Sequence, residues 1–127
     1  MKFKKSLAKV VAAVSLAFAG FVAVNTVNTQ NNTVQAASKT SQRNKVVSLA
    51  KKQVGKPYVY GATGPNAFDC SGLTSYVYSH AIGKYISRTT YSQVYQGKTV
   101  KVSTASLKKG DLLFWGSKSS PYHVGIY

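Results

Sequence analysis

Two stretches with helical hydrophobic spacing, followed by short apolar runs of strand character, predict an α+β fold in which helices pack on an antiparallel sheet. The first stretch places Val46, Leu49, Ala50 and Val54 on one face, with Arg43, Lys45, Ser48, Lys51 and Lys52 turned the other way. The second sets Cys70, Leu73, Val77, Tyr78 and Ala81 on one stripe. The strand-like runs are Leu112–Trp115 and His123–Tyr127, and the sequence stops inside the second.

Residues 1–36 read as a secretory signal peptide. Lys2, Lys4, Lys5 and Lys9 form a basic start, Val10 to Val24 is a run of apolar and small residues, and Val34-Gln35-Ala36 has the small-x-small form of a cleavage site. The apolar run is shorter than the roughly 20 residues a spanning helix needs. Polar Asn25 to Gln35 follows it, so the expectation is cleavage after Ala36 with no stable membrane anchor left behind. The mature chain would then hold 91 of the 127 residues, enough for one small domain. Residues 37–45 read as a short polar linker and residues 46–127 as the domain.

Within that domain, Gly55 with Pro57 just beyond it punctuates the end of the first helix. Tyr58-Val59-Tyr60 reads as an extended segment whose aromatics belong to the core, and Gly61, Gly64, Pro65 and Asn66 form a loop leading to the cysteine helix. Gly83 ends that helix. Ile86 to Gln96 is expected as a loop and a short helix closed by Gly97, and Thr99–Val102 alternates in the manner of an edge strand. Leu107 to Asp111 then forms a turn before the Leu112–Trp115 strand, and Gly116 to Pro121 a polar loop before the last strand.

Charge narrows the partners. Seventeen Lys and Arg against two acids, Asp69 and Asp111, give a formal net charge of +15. Loss of the four signal lysines lowers it to +11. Such a surface seeks polyanions, and for an exported protein these are anionic cell-wall polymers or lipid headgroups; the scattering of the charges argues against nucleic acid. Cys70 is the only cysteine, so no internal disulfide forms. One cysteine, two histidines and two acids offer no clustered metal ligands, and no glycine-rich phosphate cradle follows a strand, so neither metal nor cofactor is expected.

Cys70 stands at the start of its helix, directly after Asp69, a good N-cap. The partial positive charge of a helix N-terminus favours an anion there, and with a neighbouring imidazolium it is the usual means of making a cysteine nucleophilic. A nucleophile of this kind needs a base, and histidine suits that role near neutral pH. His80 lies ten residues along the same helix, about 15 Å away, and cannot reach the thiol. His123 opens a strand against which the cysteine helix can pack. By spacing alone the pair fits a nucleophile and base, or a buried cysteine and an unrelated strand histidine.

The run AKKQVGKPYVYGATGPNAFDCSGLTSYVY, then SRTTYSQV, LKKGDLLFW and HVGIY, resembles in order the NlpC/P60 family of secreted cell-wall endopeptidases, which are papain-like cysteine hydrolases. The resemblance spans Val46 to Tyr127. It implies that Cys70 is the nucleophile and His123 the general base. Tyr58 matches a family tyrosine whose hydroxyl helps hold substrate or the oxyanion, although a packing aromatic is an equal reading of the residue itself. Asp69, Ser71 and Arg88 match positions that shape the substrate groove, and Asp69 can cap the helix or meet a substrate amine. Gly110-Asp111 likewise matches a family position that shapes the groove or the fold. Family members carry a third polar residue on the strand after the histidine strand. This sequence stops four residues beyond His123, so the resemblance implies a catalytic domain incomplete at its C-terminus, its last strands missing.

The implied activity is hydrolysis of peptide bonds in peptidoglycan stem peptides, of the D-glutamyl to diamino acid type, by a secreted, cell-wall-associated enzyme. Two other readings fit the same residues: an amidase on the same fold, and a non-catalytic basic wall-binding module. Export supplies a first test. N-terminal sequencing of the secreted protein should begin at Ala37, and a retained Met1 or Lys2 would overturn the assignment of residues 1–36.

Overall fold

The computed structural model describes residues 29–127, in the order α1 (Thr29–Lys52), α2 (Cys70–Ile82), α3 (Thr90–Gln93), β1 (Leu112–Ser117) and β2 (Ser120–Ile126). The signal peptide is expected mainly in residues that lie outside this range. The two strands pair antiparallel, and α1 and β2 both pack on α2. The expected α+β arrangement, helices on an antiparallel sheet, is therefore present.

Helix α1 contributes Val46, wholly buried, with Leu49 and Ala50 half-buried beside it. Val54, expected on the same face, falls past the helix end at Lys52 and is 83% exposed. Residues 37–45, expected as a linker, are helical, and Arg43 in that stretch is bonded into the rest of the domain. Helix α2 follows its predicted stripe: Val77 and Tyr78 are wholly buried, while Cys70, Leu73 and Ala81 pack at the edge of the same cluster. It begins at an Asp69 cap and ends at Gly83, whose φ of 66° closes the helix in left-handed form. Val94, Leu112, Phe114 and Val124 complete the core.

Three further expectations are corrected. Tyr58 and Tyr60 are not core aromatics: Tyr58 is 67% exposed and Tyr60 91%. Their segment is held instead by backbone, through a parallel bridge between Tyr58 and Phe68 and the Val59 N–H to Phe68 carbonyl bond of 3.0 Å. Thr99–Val102 forms no strand, since no ladder partner lies beside it among the described residues and Lys98, Thr99 and Lys101 face solvent. The polar loop at Gly116 to Pro121 is shorter than expected, because pairing continues through Gly116 with Pro121 and Ser117 with Ser120. The hairpin tolerates this through an irregularity between Trp115 and Gly116. Gly116 has a φ of +107°, and a Cβ there would stand 2.5 Å from the Ser120 carbonyl oxygen, so only glycine fits.

One polar cluster joins α1 to the base of the hairpin. Arg43 donates from Nη1 to Asp111 Oδ1 at 2.6 Å and to the Lys109 carbonyl at 2.9 Å, while Lys108 N–H donates to Asp111 Oδ2 at 2.9 Å. Asp111 is buried, so its charge depends on these donors. Beside it the Tyr78 hydroxyl donates to the Gly110 carbonyl. Burial first, then the negative charge of Asp111, push the Tyr78 phenol well above its ordinary value, with Arg43 opposing, so it remains a donor at any physiological pH. The same open end of the hairpin is closed by Gly110 N–H to the Tyr127 carbonyl at 2.7 Å and Tyr127 N–H to the Asp111 carbonyl at 2.8 Å.

Removing one partner of a buried pair leaves the other charge stranded. Arg43→Met should therefore lower unfolding stability by about 2 to 4 kcal/mol in urea titrations. Combining it with Asp111→Asn should cost less than the sum of the two single changes. Strict additivity would show that the two side chains are not coupled.

Candidate active site

The loop from Gly61 to Phe68 returns to α2 and fixes its first turn. Asp69 N–H donates to the Ala62 carbonyl at 2.9 Å, and Gly72 lies so close that a Cβ there would meet that same oxygen at 2.2 Å. Glycine at position 72 is thus a packing requirement of the Asp-Cys-Ser-Gly run.

Asp69 is the electrostatic centre of this turn. Its Oδ1 accepts from Gly72 N–H at 2.6 Å, Arg88 Nη1 at 3.0 Å and the Ser71 hydroxyl at 3.3 Å. Oδ2 accepts from Arg88 Nη2 at 2.6 Å and Gly61 N–H at 3.0 Å. Of the two roles open to it from sequence, the structure shows the helix cap, extended by a two-pronged ion pair with Arg88. Burial pushes its carboxyl up, but the Arg88 hydrogen bond, the Gly72 and Gly61 amides and the Arg88 charge together outweigh this and hold it below the ordinary carboxylate range. Arg88 also donates to the Ser71 hydroxyl at 3.0 Å. Its own guanidinium is held above its usual value, first by the Asp69 hydrogen bond against a burial cost, with the charges of Asp69, Cys70 and Tyr60 adding.

These residues open onto a cleft of about 530 Å³. Cys70, half-buried at the first position of α2, lies in it with Asp69, Ser71 and Arg88; Tyr58 and Tyr60 come from the preceding loop. Five of the six residues singled out from sequence therefore share one cleft. His123 is the exception. Strand β2 lines the cleft through Pro121 and Tyr122, whereas the His123 ring stacks at a tilt on its cross-strand partner Trp115, with centroids 5.2 Å apart. Among the described residues no hydrogen bond joins His123 to Cys70. His80 is far from the thiol, stacked on Tyr76 at 4.0 Å with Nδ1 against the Tyr76 carbonyl at 2.9 Å.

Sequence reasoning missed Thr90, whose Oγ1 is 3.4 Å from Cys70 Sγ, and Gln93, wholly buried behind it. Gln93 Nε2 faces the Ser71 carbonyl at 3.0 Å and the Ser87 carbonyl at 2.7 Å, and its Oε1 accepts from the Thr74 hydroxyl at 2.8 Å. The only signal in the sequence was the spacing of Thr90 and Gln93, three apart on one short helix. Tyr91 and Tyr122, both exposed, complete the rim. A larger groove of about 790 Å³ between α1 and α2, lined by Lys45, Lys52 and His80 among others, lies apart from the thiol.

The Asp69 carboxyl is depressed in the folded state, so its contribution to stability is complete above the unfolded value of about 3.9 and is lost as pH falls through the lower folded value. Asp69→Asn should thus lower the urea midpoint at pH 6, by the equivalent of about 1 to 3 kcal/mol. The gap between variant and wild type should narrow steadily below pH 4. A gap independent of pH from 2 to 7 would rule out the carboxylate charge as its source.

Comparison with known proteins agrees with this architecture. The model of the NlpC/P60 family matches residues 55–127. A probable endopeptidase of Corynebacterium glutamicum is 48% identical over 93 residues, which cover 73% of this chain and 42% of that protein. The probable endopeptidase p60 of Listeria grayi is 43% identical over 102 residues, 80% of this chain and 19% of that protein. The chain thus spans less than half the length of these curated relatives. The crystal structure of the NlpC/p60 domain of the peptidoglycan hydrolase SagA is 45% identical, with a TM-score of 0.63 over 67% of this chain and 71% of that one. With its cysteine-bearing helix, its hairpin and the family match running from Gly55 to Tyr127, this chain belongs to the NlpC/P60 family.

Proposed function

We propose that the chain is the catalytic domain of a secreted, cell-wall-associated cysteine endopeptidase that hydrolyses peptide bonds in peptidoglycan stem peptides, between D-glutamate and a diamino acid. The observation that carries this reading is the position of Cys70: the sole thiol of the sequence is the first residue of α2 and opens into a cleft walled by four separate segments. Relatives named as endopeptidases, and a solved relative named as a peptidoglycan hydrolase, point to the reaction class.

In this mechanism the Cys70 thiolate attacks the carbonyl carbon of the scissile amide, and the carbonyl electron pair moves onto oxygen. The backbone amides of Cys70 and Ser71 are suited to receive that oxyanion, since the first amides of a helix have no intrahelical acceptor and Asp69 occupies only the Gly72 one. Tyr58 adds a hydroxyl at the mouth of the cleft. Collapse of the intermediate breaks the C–N bond, and the amine leaves with a proton from His123. Water then attacks the thioester, giving a proton back to the imidazole as the C–S bond breaks, which restores the thiolate beside the imidazolium that had first taken the thiol's proton. The reaction requires the His123 ring to come within hydrogen-bonding distance of Sγ. Its neighbours Pro121 and Tyr122 on β2 line the cleft, which supports this assignment.

Charge supports the cell-wall setting. The two acids of the sequence are both paired with its two arginines, so no carboxylate side chain remains to neutralise the lysines. The surface is left as an uncompensated polycation suited to anionic wall polymers.

Mass spectrometry of muropeptides after incubation with the protein should reveal new amine termini at the diamino acid. Cys70→Ala should abolish them, and His123→Ala should slow their release by about 100-fold or more. Intact stem peptides freed from the sugar would identify an amidase instead, and wall binding without any cleavage would identify a non-catalytic module.

A further inference from the structure

The thiol has one hydrogen-bond partner among the described residues, and it comes from a different segment of chain. Thr90 Oγ1 stands 3.4 Å from Cys70 Sγ, and Thr90 itself is 7% exposed. Sγ is also the only partner of that hydroxyl among the described residues. A neutral thiol can donate to Oγ1, but a thiolate has no proton to give, so with the anion the hydroxyl must be the donor. We infer that Thr90 is the hydroxyl donor that holds the Cys70 thiolate of this site in its reactive form and orientation. This rests on the reading of Cys70 as nucleophile.

The scaffold behind Thr90 fits such a role. Thr90 opens α3, whose cap is the Thr89 side chain accepting from Ser92 N–H at 3.3 Å. One turn on, Gln93 is pinned to the first turn of α2 through the Ser71 carbonyl and Thr74, and to the preceding loop through the Ser87 carbonyl. It lies at full burial, where each of these bonds is shielded from water. Gln93 is thus a positioning residue that fixes the short helix against the nucleophile's own turn. Hydrogen bonds to an ionised acceptor are about twice as strong as neutral ones, so this contact strengthens when the thiol ionises.

Other groups also act on the thiol. Arg88 lies near enough for its charge to interact with it, Asp69 next to it is neutralised by Arg88, and Tyr58, Tyr60 and Tyr122 line the same cleft, with His123 adjacent on β2. All of them are shared by wild type and a Thr90 variant, so a comparison of the two isolates the hydroxyl.

The test is the rate of Cys70 alkylation by iodoacetamide on the full chain from pH 5 to pH 10. Thr90→Val keeps the shape and removes the hydroxyl, and Thr90→Ser keeps the donor. At pH 6.5 the valine variant should react about tenfold more slowly than wild type, the loss expected for one charge-assisted hydrogen bond, while the two rates converge near pH 10. The serine variant should stay within about twofold of wild type throughout. If the valine variant unfolds, Thr90→Ala removes the same hydroxyl without bulk and is read in the same way. Superimposable pH profiles would overturn the inference, and so would equal slowing at every pH, because that reports access to the thiol and not its ionisation. The readout needs no peptidase substrate. A shifted profile in a protein that cleaves no stem peptide would sink the proposed function and leave the role of Thr90 standing.

Discussion

The carboxylate of Asp69 is the point on which the site depends. Five donors converge on it from the helix, the preceding loop and the segment carrying Arg88, and each of these is a different wall of the cleft. A buried charge with fewer partners would be costly; with five it becomes the fastener that sets the walls relative to one another. It also supplies the geometry for Cys70. Capping Gly72 starts the helix at Cys70, and the thiol is thereby held in the first turn, beside the cleft and the free amides and positive dipole end of the helix.

The second acid acts in the same way where α1 meets the hairpin. Asp111 ties Arg43 on α1 to the turn that begins β1, beside the Tyr78 hydroxyl on the underside of α2. The chain thus uses each of its two carboxylates as a junction between segments distant in sequence, and each junction is made with an arginine. Planar guanidinium suits this work, since Arg88 reaches both carboxylate oxygens and the Ser71 hydroxyl at once, which an ammonium could not do with the same orientation. What remains on the surface is lysine, free of structural duty toward acids and available to anionic material.

Much of this was legible beforehand because it is local. The α2 stripe, its Asp69 cap and its Gly83 end are set by residues within one or two turns of each other, and periodicity reads them directly. The tyrosines at 58 and 60 were misread for the opposite reason: a strand-like aromatic run normally packs inward, but here a parallel bridge to Phe68 holds the backbone and leaves the rings at the rim. Thr99–Val102 alternates without a partner strand, and alternation alone does not supply one. Thr90 and Gln93 could not be found from pattern, because their roles exist only when α3 lies against the first turn of α2, some twenty residues earlier in the chain.

The hairpin shows most plainly where local reading ends. Side chains alternate across a strand, so the faces of His123 and its neighbours follow from the pairing register, and a shift of one residue exchanges them. The irregularity between Trp115 and Gly116 adds an unpaired residue to β2, because Trp115 pairs with His123 while Gly116 already pairs with Pro121. Tyr122 is that extra residue. It is displayed toward the cleft with Pro121, while His123 takes up the position opposite Trp115 and Val124 enters the core. The motif HVGIY names the histidine, but the bulge, made possible by a glycine seven residues earlier, decides what the imidazole touches. The chemistry proposed for this cleft therefore depends on the backbone of the hairpin as much as on the identity of the residues it carries.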